Sequence, residues 1–165
     1  MTWDCTLVNG PYAGITEGPA WDGTGLLFTH VPASQIVRYD PRSRAAEVFR
    51  DGTNRANGLT FDSDGRLYAC EGGARRVVRY GSDGGTTVLA DGFEGKRLNI
   101  PNDLALDPQG RVWFTDPYYE GAGGPWSEDR ANKDLDHDSV HRLDPESGGG
   151  WSISRVTLST TWLLY

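Results

Sequence analysis

The sequence repeats itself, and the repeat limits what the chain can become. Three segments, EGPAWDGTGLLFTHVPASQIVRYDP, NGLTFDSDGRLYACEGGARRVVRYGSDG and NDLALDPQGRVWFTDP…DSVHRLDP, align on Glu17, Asn57 and Asn102, at spacings of 40 and 45 residues. Trp21, Phe61 and Leu106 then coincide, as do Gly25, Gly65 and Gly110, and after them Leu27, Leu67 and Val112. Each unit closes on a matching triplet, Val37-Arg38-Tyr39, Val78-Arg79-Tyr80 or His141-Arg142-Leu143. A period of this length marks supersecondary units that bury their apolar faces only by stacking on one another.

Within a unit a short alternating strand leads to a Gly-containing turn (DGTG, DSDG or DPQG). A second strand follows (LLFT, RLYAC or RVWFT), then the VRY strand, then a fourth such as AAEVFRDG or TTVLADG. Four short strands per unit are a propeller blade. The expectation is an all-β fold with about three four-stranded blades, a partial β-propeller over residues 1–165. No segment holds an i, i+3, i+4 apolar pattern over three turns, so no helix is predicted. The 22 Gly suit turns, and the six Trp, seven Tyr and five Phe suit strands. Residues 118–138 form a polar, Gly-rich insertion in the third unit, and long ordered loops often carry function.

A net charge of −7 argues against a nucleic-acid partner, which needs basic residues to neutralise phosphates, and is compatible with a cation site. Cys5 and Cys70 lie outside any CxxC and are expected as buried thiols. The N-terminus has no basic stretch followed by an apolar one, and no apolar run approaches a membrane span. The expectation is a soluble, cytoplasmic protein without membrane attachment. His30, His137 and His141 are scattered without zinc spacing and are expected at the surface. No GxSxG or Ser-His-Asp order supports a serine hydrolase.

The repeated polar residues Glu17, Asn57 and Asn102 precede the first strand of each unit, which in a propeller lies nearest the central channel. Side chains far apart in sequence would converge there. The alternative is that Asn57 and Asn102 are turn residues, since Asn tolerates the left-handed region and bonds its own backbone.

The motifs EGPAW (17–21), NGLTFDSDGRLY (57–68) and NIPNDLALDPQGRVWFTDP (99–117) carry a resemblance to a known family. The sequence resembles the gluconolactonase / senescence marker protein / luciferin-regenerating enzyme family of six-bladed β-propellers, over residues 16–156. The resemblance implies a lactone-hydrolysing enzyme with a divalent cation at the channel top, Ca2+ first, with Zn2+, Mg2+ and Mn2+ as alternatives. It implies Glu17 as a metal-ligating carboxylate and Asn102 as a contact to substrate and metal. Asp103 is placed at the same mouth, Asn99 and Arg97 just upstream, and Tyr118 and Glu120 where relatives touch substrate. Such a cation takes six to eight oxygens, can polarise a lactone carbonyl and can activate water.

The family's remaining ligands, a later Asn and a later Asp that serves as general base, have no counterpart in these 165 residues, so no catalytic base is assigned. Six blades at this period need about 270 residues. The expectation is an N-terminal half, weakly active or inactive by itself, ending in an atypical apolar tail at 157–165. Two other readings remain open. One is a non-catalytic half-propeller that self-associates through open blade edges. The other is a sugar- or peptide-binding propeller with Trp113, Tyr118, Tyr119 and Trp126 as aromatic platforms.

Overall fold

The structure is a computed structural model that describes residues 4–146 and 149–156; the tail at 157–165 lies outside the described residues. Three four-stranded antiparallel sheets follow one another along the chain, each a meander in sequence order. Blade 1 comprises β1 (Thr16–Trp21), β2 (Leu26–His30), β3 (Gln35–Asp40) and β4 (Ala45–Arg50). Blade 2 comprises β5 (Ala56–Phe61), β6 (Leu67–Glu71), β7 (Arg76–Tyr80) and β8 (Thr86–Ala90). A two-stranded ribbon, β9 (Gly92–Phe93) and β10 (Lys96–Arg97), precedes blade 3. That blade is β11 (Leu104–Leu106), β12 (Val112–Asp116), β13 (Ser139–Pro145) and β14 (Trp151–Val156). Among the described residues the only helical pieces are short 3-10 turns, and no helix is long and apolar enough to cross a membrane.

Strand alternation gives every blade two faces, and consecutive blades share apolar layers. Ala20, Leu27 and Ile36 of blade 1 pack on Leu59, Leu67, Ala69, Val78 and Tyr80 of blade 2. The other face of blade 2, with Tyr68, Cys70, Val77 and Leu89, packs on Leu104, Val112, Phe114 and Leu143 of blade 3, joined by Leu98 and Leu135. Cys70 is therefore a buried free thiol, as expected, whereas Cys5 is exposed. The chain before β1 packs on the far face of blade 1, where Tyr12 meets Phe28 edge-on at 5.3 Å.

The first turn of each blade is capped by its leading aspartate. Asp62 Oδ1 accepts the N–H groups of Asp64 and Arg66, and Asp107 Oδ1 those of Gln109 and Arg111. The arginine of each of these turns returns Nε to the same aspartate at 2.6 Å. Blade 1 uses Asp22 in the same way, but its arginine, Arg38, comes from β3. Its turn is one residue shorter, which corrects the sequence alignment. Trp21 pairs with Leu26, Phe61 with Leu67 and Leu106 with Val112, so Leu26 rather than Leu27 is the equivalent position. The left-handed glycine of that turn is Gly23 (φ 97°) rather than Gly25, against Gly65 (77°) and Gly110 (76°).

The insertion at 118–138 is folded onto the blades. Tyr118, Ser127 and Leu135 are buried, and the Tyr118 hydroxyl donates to the Ser127 carbonyl. Arg75 of blade 2, itself 2% exposed, pins the insertion. It donates to the Leu98 and Asn132 carbonyls, pairs with Asp134 at 3.2 Å and lies 4.2 Å over the Trp126 ring.

The innermost strands of neighbouring blades meet backbone to backbone. A side chain at Gly18 (φ 54°) would collide with the Asn57 carbonyl oxygen and come within 2.8 Å of the Leu59 nitrogen. Overpacking and a left-handed backbone both oppose a Cβ there, so Gly18→Ala should lower stability by about 2–3 kcal/mol. Gly65→Ala, left-handed but with open space around its Cβ, should lower it by only about 1 kcal/mol. Urea unfolding of both variants measures this; equal losses would mean that the blades do not touch at Gly18.

Candidate functional site

The first strand of each blade starts with a local irregularity. In β1 the register slips between Glu17 and Ala20, and in β5 between Ala56 and Leu59, so that one extra residue is inserted. In blade 3, Asn102 N–H donates to the Thr115 carbonyl and Thr115 N–H to the Asp103 carbonyl, two residues against one. Glu17-Gly18, Asn57-Gly58 and Asn102-Asp103 thus occupy equivalent β-bulges. Bulges re-aim side chains and gather near sites. The bulges also link blades: Gly58 N–H donates to the Asn102 carbonyl at 2.7 Å, and the buried Thr29 hydroxyl to the Asn57 carbonyl at 3.0 Å.

These bulges border one cleft of about 480 Å3. Glu17, Asn57 and Asn102 line it together with Arg55 and Tyr119, over an apolar floor that includes Val31, Pro32 and Ile100. No ion pair or hydrogen bond engages the side chains of Glu17, Asn57 and Asn102 among the described residues. A larger cleft, about 820 Å3, lies at the opposite ends of β5 and β11 between the turns at Asp62 and Asp107, away from all three.

The remaining expected site residues do not join this cleft. Asn99 is fully buried: its N–H donates to Asp116 Oδ2, and its amide to the Asp116 and His137 carbonyls. Asp103 is exposed beside Asn102, and its carboxylate caps the Leu104 N–H at 2.9 Å. Glu120 is exposed and outside the cleft, whereas its neighbour Tyr119 lines it. Arg97 sits on the β9–β10 ribbon, beside a different hollow. Of the aromatic candidates, Tyr118 is buried and Trp126 lies under Arg75. Trp113 is on blade 3, where its indole N–H donates to Asp107. Tyr119, 56% exposed, is the one that reaches the cleft.

None of the three histidines is fully exposed; His30, its Nε2 2.8 Å from the Ala13 carbonyl, is half-buried. His141 is fully buried between the rings of Phe93 (5.0 Å) and Phe114 (5.3 Å), and His137 is half-buried. His141 stands where Val37 and Val78 stand in the other blades, both of them buried, so the repeat itself carried this signal. Its Nε2 lies 3.8 Å from Asp116 Oδ2, too far for a hydrogen bond, and neither ring nitrogen has a partner. Burial pushes the Asp116 carboxyl up to about 7, against the opposing hydrogen bond from Asn99 N–H. Burial, with His137 and Arg155 nearby, pushes His141 down to about 4. The two are a neutral acid beside a neutral imidazole across most of the mildly acidic range, not an ion pair.

The donors that line the cleft suit a hard cation in kind. Glu17 offers a carboxylate, and Asn57 and Asn102 offer amide oxygens, all without internal partners. They amount to part of a six-to-eight-oxygen shell. Among the described residues no cluster of three or more His, Cys, Asp or Glu is arranged to hold a metal.

Residues 15–156 match the family described as the SMP-30/Gluconolactonase/LRE-like region, and the chain belongs to that family. A gluconolactonase of Zymomonas mobilis is 32% identical over 149 residues, 79% of this chain and 40% of that protein. The structure of a gluconolactonase from Xanthomonas campestris, 33% identical, superposes with a TM-score of 0.75 over 86% of this chain and 46% of that one. A streptogramin B lyase, 17% identical, superposes at 0.57 over 86% of this chain and 40% of its own, a likeness of fold alone. The chain thus spans less than half the length of these relatives.

The buried pair makes a signed prediction. Asp116 is raised above its unfolded value of about 3.9, so its contribution is full at low pH and is lost as pH rises through about 7. His141 is depressed below its unfolded value of about 6.5, so its contribution is full above that and is lost as pH falls through about 4. Between these limits the two slopes oppose each other. Relative to the parent, Asp116→Asn should lose stability from pH 6.5 to 4, and His141→Phe should gain it. Urea midpoints across this range measure both; parallel curves for all three proteins would refute the assignment.

Proposed function

We propose that the chain supplies three blades of a metal-dependent lactone-hydrolysing site, acting on sugar or related lactones. The observation that carries this reading is the convergence of Glu17, Asn57 and Asn102, equivalent bulge positions of three blades, on one cleft in a member of the gluconolactonase family. Glu17 and Asn102 would hold the cation, Ca2+ by donor type. When bound, it would polarise the lactone carbonyl and acidify a water. The Asn57 and Asn102 amides can donate to ring hydroxyls. Val31, Pro32 and Ile100 offer an apolar floor for the carbon face, and the Tyr119 ring an edge on which to stack it. Among the described residues Glu17 is the only carboxylate lining this cleft, and Asp103 lies outside it with one oxygen on Leu104 N–H, so no general base is assigned within the three blades.

Calorimetric titration and a pH-stat assay on a gluconolactone test this reading. The 165-residue chain should bind Ca2+ weakly, with Kd of order 1 mM, because one carboxylate leaves most of the shell to neutral ligands. Glu17→Gln should weaken binding by at least tenfold and abolish any Ca2+-stimulated turnover, and Asn102→Ala should reduce turnover. Hydrolysis indifferent to Ca2+ and to both substitutions would sink the proposal.

A second reading, a non-catalytic module that self-associates through open blade faces, is favoured by the outward face of blade 3. There Ala105, Trp113, Thr115 and Val140 line a shallow hollow of about 220 Å3. Sedimentation equilibrium should then detect a dimer that Trp113→Lys dissociates. A monomer at all concentrations would exclude this reading.

A further inference from the structure

Arg55 lines the cleft beside Glu17, Asn57 and Asn102, at the repeat position that Ile15 and Ile100 fill in the other two blades. It and Asn54 are two successive non-glycine residues in the left-handed region (φ 55° and 50°). That conformation is uncommon, carries strain, and persists only where its surroundings hold it. Here they do. Arg55 N–H donates to Ser34 Oγ at 3.0 Å, and Thr53 N–H to the Ser34 carbonyl. Asn54 donates to the buried Glu71 carboxylate at 2.9 Å and accepts from Gly73 N–H. Glu71 is in turn fixed by Arg76 and the Tyr80 hydroxyl. A Cβ on Gly124 would come within 3.2 Å of Arg55 Nε, so the guanidinium lies against a glycine of the insertion.

The backbone at Arg55 is held, whereas its guanidinium makes no hydrogen bond or ion pair among the described residues. Arg38, Arg66, Arg75, Arg76, Arg111 and Arg142 each have a carboxylate partner; Arg55, like Arg42, Arg44, Arg50, Arg79, Arg97, Arg130 and Arg155, has none among the described residues, and of these it is Arg55 that lines the cleft with Glu17. A half-buried guanidinium without a carboxylate partner can receive one, because its planar fork matches two oxygens.

We propose that Arg55 recognises a free carboxylate on the ligand, so that the cleft prefers a sugar ring bearing an acid group over a neutral one. The substrate class is then a lactone that keeps a second carboxylate after its own carboxyl is esterified. This inference rests on the lactone-hydrolysing reading, but its test does not need hydrolysis. In low-salt buffer, NMR-detected titration compares glucuronate with glucose, two six-membered sugar rings that differ by one carboxylate. The 165-residue chain should bind glucuronate at least tenfold more tightly, with the largest shifts at Arg55, Asn57 and Gly124. Arg55→Gln should erase the preference. Arg55→Lys, which keeps the charge but loses the fork, should retain part of it and controls for folding. Equal binding of the two sugars by the parent chain, no binding of either, or a preference that survives Arg55→Gln overturns the proposal. An Arg55-dependent preference, together with hydrolysis that is indifferent to Ca2+, Glu17→Gln and Asn102→Ala, would leave it standing while refuting the hydrolase reading. Turnover of neutral lactones without any acid preference would do the reverse.

Discussion

Backbone contact at the hub governs this structure. β5 touches β1 where Gly18 faces the Asn57 carbonyl, and it touches blade 3 where Gly58 N–H donates to the Asn102 carbonyl. No side chain fits at either glycine, which is why the second residue of the bulge is glycine in blades 1 and 2. Apolar layers alone would let blades slide or splay, because burial of area is non-directional. A short backbone contact fixes how deeply one blade sits against the next. The first residue of each bulge, held at the same place, is then free to present a polar side chain to the mouth.

The loops above that hub are fixed by buried polar groups. Glu71, 1% exposed, collects Asn54, Arg76 and the Tyr80 hydroxyl, and so ties the loop before β5 to blade 2. Arg75 does the same for the insertion of blade 3, and Ser34 for the approach to Arg55. Removing one partner from such a group leaves a buried charge or donor unpaired, which is more damaging than losing a surface pair. The cleft is therefore bordered by loops whose positions are set by charges below them.

The fold was legible because its unit recurs. The leading polar residue, the turn and the VRY triplet reported blade number, strand order and the shared end of Glu17, Asn57 and Asn102. Slips arose where one copy departs from the others. The shorter turn of blade 1 displaces its second strand by one residue, and a shift of one moves every side chain to the opposite face. His141 looked like a surface histidine when read alone, and like a core position when read against Val37 and Val78. The family resemblance places Asn99 and Tyr118 at the site, but their partners, Asp116, the His137 carbonyl and the Ser127 carbonyl, lie 9 to 38 residues along the chain, where no local pattern announces them.

Asn102-Asp103 shows how one bulge divides two tasks between adjacent residues. Asp103 turns its carboxylate back to Leu104 N–H and accepts Thr115 N–H on its carbonyl, which holds the extra residue in place. Asn102 gives its carbonyl to Gly58 and its N–H to Thr115, so its backbone is spoken for while its side chain is not. In blades 1 and 2 glycine takes the second position, because there the neighbouring blade comes close against it. In blade 3 the second position is Asp103, which lies against Gly58 of blade 2 and braces the bulge with its own carboxylate. The polar dipeptide that opens this strand is thus half scaffold and half presentation, and the presenting half is the residue that borders the cleft.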